Sequence, residues 1–183
     1  RYFVLREVPF GHDGDFSELA MVQRINSDLA NDLGNLLSRS LQMIEKFRGS
    51  KLPESFNATE LDKEIEALAN KTVSDMTDCM DRFAFDDALK TLWTFISRSN
   101  KYIDETEPWK LGKNGEIERL DAVLRTLWES LRLSAVLVAP FMPDTAMRIW
   151  EQLGLTGDPL EGGRAAWSWG KLDGPVTVKK GAI

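Results

Sequence analysis

The stretch Val22-Gln23-Arg24-Ile25-Asn26-Ser27-Asp28-Leu29-Ala30-Asn31-Asp32-Leu33-Gly34-Asn35-Leu36-Leu37-Ser38-Arg39 returns to an apolar residue every three or four positions. That spacing stacks Val22, Ile25, Leu29, Leu33 and Leu36 on one side of a helix, and Ile44 and Phe47 continue the stripe. Asp15 or Ser17 can cap its start and Gly49 ends it, so one long helix is expected here.

The same period recurs downstream. Leu61, Ile65, Leu68 and Met76 predict a second helix over about Thr59–Met80, after a polar loop through Pro53. A third starts near Asp86-Asp87, carries Leu89, Leu92, Trp93, Ile96 and Ile103, and ends near Tyr102-Ile103-Asp104. Then come Pro108-Trp109 and a turn from Gly112 to Gly115. A fourth helix, from Glu116, buries Ile117, Leu120, Leu124, Leu127, Trp128 and Leu131 until Pro140 stops it, and Pro143 opens a fifth that ends near Leu153-Gly154.

Strand-period alternation is scarce, so the expectation is an all-α bundle of about five helices with a short extended C-terminal tail. Residues 1–153 form the bundle and 154–183 the tail. Within it, Trp169-Gly170-Lys171-Leu172 and Val176-Thr177-Val178-Lys179 flank Asp173-Gly174-Pro175, which suits a small hairpin or an extended strap. Arg1-Tyr2-Phe3-Val4-Leu5-Arg6-Glu7 has no turn signal before it and reads as the end of a helix from a longer protein.

Composition narrows the chemistry. The 183 residues are 43% hydrophobic and 28% charged, enough for one domain with a proper core. Cys79 and His12 are the sole cysteine and histidine, which leaves no disulfide and no zinc or iron site built from such ligands within the chain. No stretch has the apolar length of a membrane span and no secretory signal opens the chain, so a cytoplasmic location is expected. A net charge of −6 excludes nucleic-acid binding by a broad basic surface; any RNA contact must be local and specific. No glycine-rich phosphate cradle follows a strand, no histidine stands ready to activate a nucleophile, and no Glu-x-x-His pair is present, so no catalysis is expected of this chain by itself.

Two features remain to be explained. Asn31, Asn35 and Arg39, four residues apart, form a polar comb spread over roughly 80° of helix surface, away from the apolar stripe. Asparagine is a poor choice for an exposed helix interior, because its amide competes for backbone hydrogen bonds. Trp109, fixed behind Pro108 in a polar segment, offers a flat ring on which a base can stack. Taken alone, the trio also reads as solvated surface, and a loop tryptophan as packing on the bundle edge. Trp93 and Trp128 fall on apolar stripes and belong to the core, and Asn26 and Asn100 read as buried, hydrogen-bonded residues, with Asn100 a candidate to tie down the loop carrying Trp109. The pairs Asp86-Asp87 and Asp104-Glu105 sit at helix ends and receive no chemical role.

The run Gln23 to Arg39 resembles the start of the anticodon-binding domain of methionyl-tRNA synthetases. So do Arg1-Tyr2-Phe3-Val4-Leu5-Arg6-Glu7-Val8-Pro9-Phe10-Gly11 with Asp13-Gly14-Asp15-Phe16, Asn100-Lys101-Tyr102-Ile103-Asp104 with Pro108-Trp109, and Ala139-Pro140-Phe141-Met142-Pro143. The match is ordered and covers nearly the whole chain. The Asn-x-Asp-Leu-Ala-Asn phrase is shared with other class I synthetases, whereas the Pro-Trp pair after Tyr-Ile-Asp is more particular to the methionine family.

The resemblance implies a helical bundle that recognises the CAU anticodon. By position, Asn31, Asn35 and Arg39 match the family's anticodon-contacting helix residues, and Pro108 and Trp109 its stacking pair. It further implies a catalytic domain elsewhere in the parent chain that uses ATP and magnesium, usually with a zinc knuckle, and no cofactor in the present segment. The implied partners are tRNA for methionine, through its anticodon loop, and that catalytic domain; no membrane is involved. Two other readings stand beside it: the anticodon domain of a different class I synthetase, and a helical module in which Trp109 inserts into a protein partner.

Overall fold

The computed structural model describes residues 1–14, 16–54, 57–171 and 174–181, and these form a helical bundle. Its α-helices are α1 (Tyr2–Glu7), α2 (Glu18–Arg24), α3 (Asn35–Arg48), α4 (Glu60–Asp81), α5 (Phe85–Thr106), α6 (Pro108–Asn114), α7 (Ile117–Val138) and α8 (Pro143–Gln152). A ten-residue π-helical segment, Ile25–Gly34, joins α2 to α3 without a break, and a 3₁₀ turn covers Gly163–Trp167.

The boundaries follow local chemistry. Ser17 caps α2, its hydroxyl accepting from the Ala20 amide at 3.2 Å; Asp15, the other cap candidate, lies outside the described residues. Gly49 ends α3 in the left-handed region at φ 57°, where a side chain would be strained. Thr59 and Asp62 close a capping box on α4, and Pro143 stands in the first turn of α8.

At the centre lies α7, buried on all sides from Ala122 to Val138 apart from the half-buried Arg125, which is the pattern of a helix wrapped by others. Leu120, Leu124, Leu127, Leu131 and Trp128 of α7 are fully buried, as are Leu89, Leu92, Phe95, Ile96 and Ile103 of α5 and Leu36 and Ile44 of α3. Each such side chain contributes on the order of 1.5–3 kcal/mol by leaving water. Trp93 and Trp128 are core residues with satisfied indoles, donating to the carbonyls of Asp28 and Leu153 at 3.2 and 3.1 Å.

The first long helix departs from expectation in its opening half. Val22 and Ile25, on the proposed stripe, are 46% and 39% exposed, whereas Asp28 is buried. The π segment explains the rotation: its wider turns, closed by i→i+5 bonds, shift the buried face off the 3.6-residue period. Asp28 is buried with partners. Tyr2 donates to it at 2.5 Å, Ser27 at 2.7 Å, and the Arg24 guanidinium lies at 3.5 Å. With the Tyr2 ring packed against Trp93 in a tilted pair, centroids 4.7 Å apart, these contacts fix α1 to the π segment and α5. Burial and the Asp28 carboxylate push the Tyr2 phenol well above its ordinary pKa, so it stays a donor.

Two asparagine readings are revised. Asn26 is exposed rather than buried. Asn100 is half-buried and bonded, but its amide donates to the Asp32 carbonyl at 3.0 Å and to Ile96 at 3.3 Å. It therefore ties α5 to the π segment, not to the segment carrying Trp109.

The tail is a strap along residues 176–179. Leu52 donates to the Val176 carbonyl at 3.0 Å and Val178 to the Ser50 carbonyl at 2.9 Å, while Val176 and Val178 turn into the core. Lys179 then donates to the Gln152 carbonyl at 2.7 Å. Leu172 and Asp173, which the hairpin alternative would require, lie outside the described residues. Upstream, a buried pair within α7 anchors the 3₁₀ turn and the residues just beyond it. Arg132 donates to Glu129 at 2.7 Å and to the carbonyls of Ala166 and Ser168 at 2.8 and 2.6 Å, and Glu129 accepts from the Gly170 amide at 2.8 Å.

Candidate nucleic-acid interface

The proposed reading residues come from two neighbouring elements. Asn31 lies in the π segment, and Asn35 and Arg39 follow in α3. Pro108 and Trp109 open α6, so Trp109 sits in the first turn of a short helix, and Gly112 is helical rather than part of a turn. The apparent turn composition misled because α6 is only seven residues long and ends on Asn114 and Gly115.

A forced backbone turn sets the direction of α6. Glu107 joins α5 to α6 in the left-handed region at φ 43°, ψ 54°, which a side chain occupies only under constraint. Its carboxylate meets Lys110 at 2.7 Å, one turn into α6. Pro108 is buried and supplies the fixed φ suited to a helix start. Gly112 lets α6 lie close on α3, since a Cβ there would come within 2.3 Å of the Phe47 ring.

This arrangement brings Arg39 and Trp109 together. The Arg39 guanidinium carbon lies over the indole, 6.0 Å from the ring centroid. The same guanidinium donates to Asp104 in the last turns of α5 at 2.6 Å. Arg39 is 37% exposed and Asp104 64% exposed, so the pair sits in water and its charges remain within reach of a ligand. Trp109 is half-buried, one side packed on the core.

Asn31 and Asn35 are exposed on the same helix, and among the described residues their side chains form no hydrogen bond or ion pair. The geometry thus gathers Arg39, Pro108 and Trp109 and leaves the two asparagines as a free polar row leading up to Arg39. Each amide can give and accept, and the arginine fork offers five donors, a set suited to base edges and phosphates.

Asp104 is the contributor that sequence reasoning misses. Its place at a helix end suggests no role, yet it holds the arginine. The signal available is its position five residues before Trp109 in the Tyr-Ile-Asp phrase.

Comparison with known proteins meets this geometry. The anticodon-binding domain of tRNA ligase matches residues 62–164. The chain belongs to this family. A second family model, tRNA synthetases class I (M), matches residues 1–41. Its relatives include methionine enzymes: the chain is 46% identical over its whole length to a methionine–tRNA ligase of Caldanaerobacter subterraneus, and 46% identical over 99% of its length to that of Bacillus subtilis. It spans 28% and 27% of those two proteins. The crystal structure of the free Mycobacterium tuberculosis methionyl-tRNA synthetase superposes with a TM-score of 0.89 at 35% identity, covering all of this chain and 36% of that one. The chain thus shares its all-α architecture with part of a methionyl-tRNA synthetase and its family with the anticodon-binding domain of tRNA ligase.

Proposed function

We propose that this chain reads the CAU anticodon of tRNA for methionine on behalf of a parent methionine–tRNA ligase. Trp109 offers the solvent side of its half-buried ring, where the Arg39 guanidinium now lies, to an anticodon base, Arg39 bonds a base edge or phosphate beside it, and Asn31 and Asn35 extend the polar contacts along the helix. Pro108 sets the angle of the indole. The observation that carries this reading is the Arg39 guanidinium poised over Trp109 in an otherwise acidic protein.

The bundle over residues 1–153 supplies the platform, and the tail beyond it straps across at residues 176–179. Methionine activation with ATP and magnesium, and the zinc of the family's knuckle, belong to the catalytic part of the parent. Among the described residues no group of three His, Cys, Asp or Glu side chains gathers to hold a metal ion. Among them, too, no helix is long and apolar enough to cross a membrane; a cytoplasmic location follows from the proposed role in translation.

Binding of labelled stem-loops tests the proposal. A CAU loop should bind more tightly than loops with each anticodon base replaced, and equal affinity for all of them would overturn it.

A further inference from the structure

One buried carboxylate joins the elements on either side of α6 and bears on how Trp109 is held. Asp62, in the first turn of α4, is 2% exposed at its side chain. It accepts from the Thr59 amide at 2.7 Å, from Arg119 of α7 at 2.6 Å, and from the Tyr102 hydroxyl of α5 in a short bond. Tyr102 is itself fully buried. One side chain thus joins the start of α4, the last turns of α5 and the first turn of α7.

The segment between those last two elements is the one that presents Trp109. It leaves α5 at Thr106, turns through left-handed Glu107, runs as α6 and enters α7 at Ile117. Its exit is closed by the Glu116 amide bonding to the Leu111 carbonyl at 3.0 Å. A non-glycine residue held left-handed keeps that conformation only where the chain is constrained on both sides. Tyr102 lies on one side of that segment and Arg119 on the other, and both end on Asp62. Asp104, which holds Arg39, lies two residues beyond Tyr102.

We infer that Asp62 is a positioning residue for anticodon reading, fixing through Tyr102 and Arg119 both ends of the bracket that carries Trp109. The inference rests on the reading role proposed for Trp109. Loss of the carboxylate frees the two ends independently, and the indole no longer waits in a single orientation for its base.

The test uses the full-length protein with Asp62→Asn, Tyr102→Phe and Trp109→Ala, separately and with Trp109→Ala combined with each of the others. Tyr102→Phe keeps the ring in the core and removes only the hydroxyl, so it carries the test if Asp62→Asn folds poorly. Methionine-dependent pyrophosphate exchange, kcat and KM for tRNA, and melting temperature are measured on each. The expected result is a rise in KM for tRNA of about tenfold for Tyr102→Phe and Asp62→Asn, the order of a lost stacking contact. Exchange and kcat stay unchanged, and Trp109→Ala adds little on top. A purely structural role would lower the melting temperature and leave KM of the folded enzyme where it was, and that result overturns the inference. If Trp109→Ala alone raises KM while Tyr102→Phe does not, the positioning role fails and the reading survives. Should Trp109→Ala leave KM unchanged, both fail.

Discussion

Arg39 and Asp104 form an ion pair at 2.6 Å across the groove between α3 and α5, with the Trp109 ring beneath the guanidinium. An exposed pair of this kind contributes about 0–1 kcal/mol to folding. Its consequence is for binding: the carboxylate occupies one of the donors that RNA would use, and its charge repels phosphate. Asp104→Asn should raise affinity for cognate and non-cognate stem-loops alike, leaving discrimination between them unchanged, with melting temperature nearly constant. Filter binding across a panel of loops measures this, and unchanged affinities would show that Asp104 does not compete with RNA.

Trp109 is half-buried, and a substitution there acts on both stability and binding. Trp109→Ala should cost roughly 1–2 kcal/mol of folding, below the about 3–5 kcal/mol of a fully buried tryptophan. It should also lose roughly 1–3 kcal/mol of stem-loop binding, part of which Trp109→Phe retains. Thermal melts and titrations on the same variants separate the two. A large stability loss with intact RNA affinity in the folded fraction would make Trp109 a packing residue.

Acid sensitivity follows from Asp62. Burial would raise its pKa, but hydrogen bonds from Arg119 and Tyr102 outweigh burial and hold it below the ordinary carboxylate value. A carboxyl depressed in the folded state stabilises fully above its unfolded pKa, about 3.9, and that contribution is lost as pH falls through the folded value. Melting temperature should therefore drop steeply below about pH 4. Asp62→Asn should start lower, by about 3 kcal/mol at neutral pH because Arg119 loses its partner, and fall less steeply in acid. Parallel melting curves from pH 3 to 7 decide it; identical acid slopes would remove Asp62 as the source.

The buried Glu129 and Arg132 pair predicts where the tail lets go. Arg132→Met removes two donors to the Ala166 and Ser168 carbonyls and strands the Glu129 carboxylate in the core. We expect a loss of about 3–5 kcal/mol and faster proteolysis within residues 163–171. Limited digestion followed by mass spectrometry checks it, and an unchanged cleavage pattern would mean the strap is held from residues 176–178 alone.

How much of the molecule is legible in its sequence varies by element. Ser17, Gly49, Thr59 and Pro143 mark helix ends correctly because a cap is local chemistry, written within a few residues. The core faces of α5 and α7 are legible because both keep the α-helical period throughout, except at the first residue of α7, where Ile117, expected in the core, is 43% exposed. The π segment is not, since a 3.6-residue reading assigns Val22 and Ile25 to the core and overlooks Asp28, whose partner Tyr2 lies 26 positions away. α6 is hidden by its brevity and glycines, and the role of Asp104 by the 65 positions that separate it from Arg39. Pairings across such distances leave no local pattern. The proposed reading residues emerge through a family resemblance, and the geometry adds what holds them.

The central claim is that Arg39 and its neighbours read the anticodon, and the specificity of Arg39→Ala tests it most directly. Affinities of wild-type and variant full-length protein for CAU and base-replaced stem-loops should show the variant losing about 1–3 kcal/mol of discrimination at one anticodon position, with melting temperature almost unchanged because Arg39 lies off the core. An equal loss for every stem-loop would make Arg39 a phosphate clamp, and no loss for any of them would contradict the account.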